Sequence, residues 1–288
     1  MRKLALRVLS LAVLIAVLQL PIGMLLDAAP FPERDVLDEG LRGKTDIVYF
    51  GDSVLASSYG GDVDRRSIAA MLKDQLGGPS VTLVQYPGYE LEIYRDFLEY
   101  TARQPQRPRA VVVPINLRSL GPGWPFTFPV DRARLTWGDV IGLGYHRPRA
   151  TFRWTTLPRQ PATPSFPDIA ERWRYHYLYP LSEEHPRLRA LKELIGICRK
   201  AGIVPILYVT PINVGKGVRL VGPEFAGHVA RETALCRAAG ASLQEDILDL
   251  STLVPEEKDF ENVEHLLERG RMQVAVELAR AVRKKLSP

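Results

Sequence analysis

Five residues spread along the chain are of the kinds that activate an ester carbonyl. Ser53 closes the stretch Gly51-Asp52-Ser53, Gly88 follows Pro87, Asn116 follows the run AVVVPI, and Asn262 and His265 stand three apart in NVEHL. A serine hydroxyl is a poor nucleophile until a base takes its proton, and neutral imidazole is the usual base near pH 7. The oxyanion that forms on attack needs donors already in place, which the Ser53 N–H, the Gly88 N–H and the Asn116 side-chain amide can supply. Glycine suits such a position because the backbone must approach a substrate with no side chain in the way. Each residue also has an ordinary reading: Ser53 as a helix N-cap, Gly88 as a turn, Asn116 as a cap, His265 as a surface histidine.

The elements that would carry these residues alternate. Apolar, strand-like runs fall at 47–50, 81–86, 110–115, 203–209 and, less clearly, 242–250, and helical patterns at 66–76, 90–103, 186–201, 224–239 and 270–285. Strand and helix in regular succession imply an α/β fold, a doubly wound parallel sheet with helices on both faces. In such sheets the ligand crevice lies beyond the carboxyl ends of the strands. Ser53, Gly88 and Asn116 follow the first three runs, and Thr210-Pro211-Ile212-Asn213 follows the fourth. That makes Asn213 a candidate substrate-binding residue, with a plain turn as the alternative.

Taken together, FGDSV, the lone Gly88, Asn116 after the third strand and His265 shortly before the last helix resemble the four blocks of the SGNH, or GDSL-like, hydrolases. The resemblance runs from about residue 46 to the C-terminus. It implies a flavodoxin-like sheet carrying a serine esterase, lipase, deacetylase or acyltransferase, with Ser53 as nucleophile, His265 as base, and Gly88 and Asn116 completing the oxyanion hole. No GxSxG elbow surrounds Ser53, which argues against the α/β-hydrolase route to the same chemistry. Two positions depart from the pattern: Asn262 stands where the family carries the aspartate that orients the histidine, and Leu117 replaces the Asp that often follows the block's Asn. An amide brings no charge, and in a serine protease the same exchange costs about 10⁴ in rate. Three outcomes follow from Asn262: a Ser–His dyad, a substitute carboxylate from Asp259, Glu261 or Glu264, or a degenerate site that binds without turnover.

No cofactor or metal is expected. The two cysteines, Cys198 and Cys236, have no zinc-ligand spacing and are either buried apolar residues or one disulfide. The net charge of +5 comes from scattered arginines with no basic block, so no nucleic-acid partner is expected. Arg2, Lys3 and Arg7 precede an uncharged run at 8–26, which reads as a signal anchor or transmembrane helix over 1–29, with a cleaved signal as the alternative. A linker at 30–45 and the hydrolase-like domain at 46–288 follow. That domain carries an insertion at about 117–185, which holds all four tryptophans, Trp124, Trp137, Trp154 and Trp173, together with arginines such as Arg118. Its aromatic residues suit sugar rings or acyl chains, or form a small core of their own.

The expected protein is a single-pass enzyme of the cytoplasmic membrane with its domain periplasmic or extracellular. It would be an esterase, deacetylase or O-acyltransferase whose ester substrate is an acylated polysaccharide or lipid, with a membrane acyltransferase as a candidate partner. The contrasting expectation is a catalytically degenerate binding protein of the same fold.

Overall fold

The computed structural model describes residues 31–56, 61–121 and 168–287, together with a few positions between 4 and 17. The chain divides into two compact units, Met1–Pro32 with Phe128–Gln160, and Glu33–Thr127 with Pro161–Pro288. In the first unit the described positions between 4 and 17 are helical, and their apolar members, among them Val8, Leu9, Leu11, Val13, Leu14 and Val17, are exposed. Among the described residues no helix is long and apolar enough to cross a membrane. The expected span at 1–29, apart from those few positions, and most of the insertion, 122–167, with Trp124, Trp137 and Trp154, lie outside the described residues.

The second unit is built on a five-stranded parallel sheet: β1 (Ile47–Gly51), β2 (Val81–Gln85), β3 (Ala110–Ile115), β4 (Val204–Val209) and β5 (Ile247–Asp249), in the order β2-β1-β3-β4-β5. Every neighbouring pair is parallel, with Tyr49 opposite Leu83 and Val112, and Val112 opposite Ile206. β1 and β3 are buried along their whole length, as strands covered on both faces must be. One face, with Ile47, Tyr49, Val112 and Ile206, packs on α3 (Ile68–Leu76) and α9 (Glu268–Leu286) through Met71, Leu72, Val274 and Leu278. The remaining helices are α1 (Pro32–Arg42), the short α2 (Ser53–Ala56), α4 (Leu91–Arg103), α5 (Ile169–Tyr177), α6 (Pro186–Ala201), α7 (Val214–Val221) and α8 (Glu224–Ala241).

The strand order 2-1-3-4-5 reverses direction between β1 and β3, which makes their carboxyl ends the switch point where a doubly wound sheet opens a crevice. Ser53 follows β1 and Asn116 follows β3, so both stand at that opening.

Several boundaries differ from expectation for local reasons. The segment at 30–45, expected as a linker, carries α1, and the complete burial of Leu37 makes it part of the domain. Ser67 caps α3 by accepting from the Ala70 N–H, which moves its start two residues inward from Arg66. α8 continues to Ala241, and Gln244 has a positive φ of 54°, which leaves only Ile247–Asp249 for β5. Cys198 and Cys236 are buried free thiols, the first of the two alternatives.

Among the described residues the largest fully buried side chain is Arg271, on α9. Its guanidinium donates to Asp62 Oδ2 at 2.8 Å and to the carbonyls of Leu266, Arg66 and Asp64 at 3.0, 3.1 and 2.6 Å. In return, Asp62 Oδ1 accepts the Glu268 N–H at 3.0 Å, and Glu268 Oε2 accepts the Val63 and Asp64 N–H groups at 2.9 Å. This lattice ties the segment after the Ser53 helix to the turn that carries His265. Removing one partner of a buried ion pair leaves the other charge uncompensated. Arg271→Met is therefore expected to lower the unfolding free energy by about 3–5 kcal/mol in urea denaturation, and a loss under about 1 kcal/mol would show that the pair is dispensable.

Candidate active site

The position of Ser53 is set by the exit of β1. Gly51 leaves room for the chain to fold back, because a Cβ there would lie 2.3 Å from Leu55 Cδ1. Asp52 Oδ1 then accepts the Val54 N–H at 2.9 Å, which gives Asp52 the capping role. Ser53 becomes the first residue of α2, with its hydroxyl 3.2 Å from His265 Nε2. Asp52 Oδ2 accepts from Asn116 Nδ2 at 3.0 Å, while Asn116 Oδ1 accepts the Arg118 N–H at 3.1 Å. A single buried hydrogen bond thus laces the ends of β1 and β3 together.

Gly88 lies in a turn closed by the Tyr89 N–H donating to the Tyr86 carbonyl at 3.1 Å, with Pro87 second and Gly88 third at φ 89°. That is the type II arrangement, which needs glycine at this point. The Tyr86 N–H donates to the Gly51 carbonyl at 3.2 Å, so the turn is anchored to the strand exit that bears Ser53.

His265 sits in a tight return between Asp259 and Leu267, braced by the Glu261 N–H on the His265 carbonyl at 2.9 Å and the Leu267 N–H on the Asp259 carbonyl at 2.8 Å. The β4 exit supports it: the Asn213 N–H donates to the Val263 carbonyl at 2.8 Å, and Lys216 Nζ donates to the Glu261 carbonyl at 2.8 Å. Asn213 Oδ1 caps α7 by accepting the Lys216 N–H at 2.9 Å, and its amide nitrogen is buried with no hydrogen-bond partner among the described residues. The geometry gives Asn213 a capping role and a backbone hold on the His265 loop.

Asn262 meets the ring's other nitrogen. Its Nδ2 lies 2.9 Å and its Oδ1 3.1 Å from His265 Nδ1, and Oδ1 also accepts the Glu264 and His265 N–H groups at 3.0 Å each. Of the carboxylates considered as substitutes, Glu264 comes within 3.8 Å of Nδ1, beyond hydrogen-bond reach. Its charge is held by Arg118 at 2.5 Å, and Tyr177 donates to it at 3.1 Å. Asp259 faces Arg269, at 3.6 Å, and Glu261 bears on the ring through its charge. Ser53, His265 and Asn262 therefore form one connected line.

Arg118, Tyr177 and Trp173 are the residues whose place the sequence did not disclose. Arg118 reads in the sequence as a recognition residue of the insertion, but it is buried against Glu264 with its guanidinium 6.0 Å from the Trp173 ring centroid. Trp173 stacks on Tyr177 at 5.7 Å, and Tyr177 meets Phe225 of α8 edge-on at 5.0 Å, so these aromatics belong to the core of the domain. The structure supplies the reason for the buried cation: Glu264 is fully buried, and a fully buried carboxylate needs a partner.

Burial raises the Asp52 and Glu264 carboxyls, opposed by Asn116 at Asp52 and by Arg118 and Tyr177 at Glu264. Burial, with Arg118 adding to it, lowers His265 from 6.5 to about 4. The imidazole is neutral at pH 7, as a general base must be.

No family profile matches the chain, and no curated protein matches it. Solved structures do. A GDSL-like lipase from Bacteroides thetaiotaomicron is 10% identical with a TM-score of 0.49, covering 88% of this chain and 98% of its own. A carbohydrate acetylesterase family member from Sinorhizobium meliloti is 12% identical with a TM-score of 0.47, over 85% of this chain and all of its own. The aryl esterase of M. smegmatis is 10% identical with a TM-score of 0.46, over 84% of this chain and all of its own. At such identity and overlap the chemistry rests on the geometry of the site itself.

The lowered histidine has two consequences of known sign. The unfolded chain binds the proton more readily, so this group's share of stability is present above about 6.5 and is lost as the pH falls toward 4. Turnover of a simple ester such as p-nitrophenyl acetate is expected to hold level through pH 6.5 and to fall with an inflection near 4. An inflection near 6.5 would show that neither burial nor Arg118 governs the ring.

Proposed function

We propose that the chain is a serine-dependent ester hydrolase or acyltransferase. The observation that carries this reading is the 3.2 Å contact between Ser53 Oγ and a partly buried, neutral His265 at the switch point of the sheet. In the tautomer that bears a lone pair on Nε2, His265 takes the Ser53 proton as Oγ bonds to the ester carbonyl carbon. The carbonyl oxygen becomes an oxyanion beside the Ser53 and Gly88 N–H groups, while the Asn116 amide, expected as a third donor, is turned to Asp52 and Glu264 and braces the turn beside them. Collapse breaks the bond to the leaving alkoxide, which takes the proton from His265, and the acyl group stays on Ser53. Water or a sugar hydroxyl then attacks the acyl-serine with His265 as base again, giving an acid or a transferred ester.

The substrate class we favour is an acylated glycan or lipid of the cell envelope, with the chain anchored in the cytoplasmic membrane and its domain on the outer side. What supports the anchor is the N-terminal segment. Val8, Leu9, Leu11, Val13, Leu14 and Val17 point to all sides of a helix and all are exposed, a distribution suited to lipid rather than water. The full chain is expected to sediment with membranes after alkaline carbonate washing; its appearance in the wash would remove the anchor.

A binding protein without turnover is the second reading, and the amide of Asn262 in place of a carboxylate favours it. A fluorophosphonate probe distinguishes the two readings. The full chain is expected to be labelled at Ser53, with Ser53→Ala unlabelled and inactive on p-nitrophenyl acetate. Absence of labelling and of hydrolysis in folded protein would establish the binding reading, and activity retained in Ser53→Ala would remove Ser53 from the site.

A further inference from the structure

Asn262 presents both a donor and an acceptor to His265 Nδ1, and the surrounding backbone decides between them. Oδ1 already accepts two backbone N–H groups, from Glu264 and His265, at 3.0 Å each. Its two lone pairs are thereby engaged. Turning the amide over would point an NH₂ group at two N–H donors, so the orientation is fixed. Nδ2 stands nearer to Nδ1, at 2.9 Å, as a donor to a ring lone pair; an Nδ1 hydrogen would have to become the third donor on Oδ1 at 3.1 Å.

We propose that Asn262 holds His265 in the tautomer with its hydrogen on Nε2, so that the resting imidazole donates to Ser53 rather than accepting from it, and that this amide is a brake on the site. The proposal rests on the reading of Ser53 as nucleophile and His265 as base. In the resting state Nε2–H points at Ser53 Oγ across 3.2 Å, and no lone pair is available there to take the serine proton. Reaction requires the minor tautomer, in which the hydrogen has moved to Nδ1. The ring is a single imidazole in both forms, and the partial exposure of the side chain lets solvent relay the proton between them. The same principle makes an asparagine in the orienting position costly in serine proteases, where the wrong tautomer accompanies a loss of about 10⁴.

An aspartate at this position would keep both backbone N–H bonds while replacing the donor with a second acceptor, which places the hydrogen on Nδ1 and leaves a lone pair on Nε2. Asn262→Asp in the full chain in detergent is therefore expected to raise kcat on p-nitrophenyl acetate, and the rate of fluorophosphonate labelling, by at least about tenfold. KM should change little, and the acid inflection should move upward from about 4 because a negative charge now faces the ring. The tautomer itself is read by ¹⁵N NMR of the histidine side chains near pH 7. The wild-type His265 is expected to show a protonated Nε2 and a bare Nδ1, and His265 in the Asn262→Asp variant the reverse.

A wild-type ring protonated at Nδ1, or a folded Asn262→Asp variant no faster than a wild type that does react, overturns the proposal. If neither protein reacts with the probe, the reading of Ser53 as nucleophile fails, while the NMR spectrum still decides the tautomer by itself.

Discussion

The hydrogen bond from Asn116 to Asp52, 3.0 Å long and out of reach of water, is the constraint on which the site depends. It joins the ends of the two strands on either side of the point where the sheet reverses its order. Asp52 then turns its other oxygen to the start of the short helix, which fixes where Ser53 begins. The arrangement has an electrostatic cost, because two carboxylates, Asp52 and Glu264, lie buried near one another and each burial disfavours charge. Asn116 and Arg118 offset that cost from the same turn, Asn116 by donating to Asp52 and Arg118 by pairing with Glu264.

The same buried charges set the character of His265. Arg118 neutralises Glu264, so the carboxylate next to His265 in sequence brings little net negative potential to the ring. A histidine with burial on one side and a guanidinium nearby is a weak base with its neutral form secure. A carboxylate at position 262 would have countered Arg118; an amide does not. Ring orientation and ring basicity, which one aspartate commonly supplies together, are separate here: Asn262 orients, and the Arg118–Glu264 pair sets the local field.

Much of this was legible in the sequence. The strand runs follow from residue types a few positions apart, and Ser53, His265 and Asn262 were singled out by their places at strand ends and by the family resemblance, although the meeting of Ser53 with His265 spans 212 residues. What was not legible is non-local or compositionally disguised. α1 has the polar sequence PERDVLDEGLR, in which only Leu37 and Leu41 mark a buried stripe. Arg118 has the look of a surface cation until Glu264, 146 positions away by subtraction of the two numbers, is seen to need it. Asn213 stands at a strand end where a substrate contact is reasonable, yet its oxygen is spent on capping α7. Trp173 and Tyr177 have the composition of a recognition surface and are core residues, because only the tertiary fold brings Phe225 to them.

The buried arginine of α9 also bears on how the molecule comes into being. Its bond to Asp62 spans 209 residues and the Ser53–His265 contact spans 212, so both belong to the longest-range contacts in the chain. Contacts of such sequence separation close late and slowly, after local helices and neighbouring strands have formed. A chain emerging N-terminus first carries its serine long before its histidine. Ser53 meets His265 only when the last helix docks and Arg271 locks the two segments together, which makes completion of folding the event that assembles the pair.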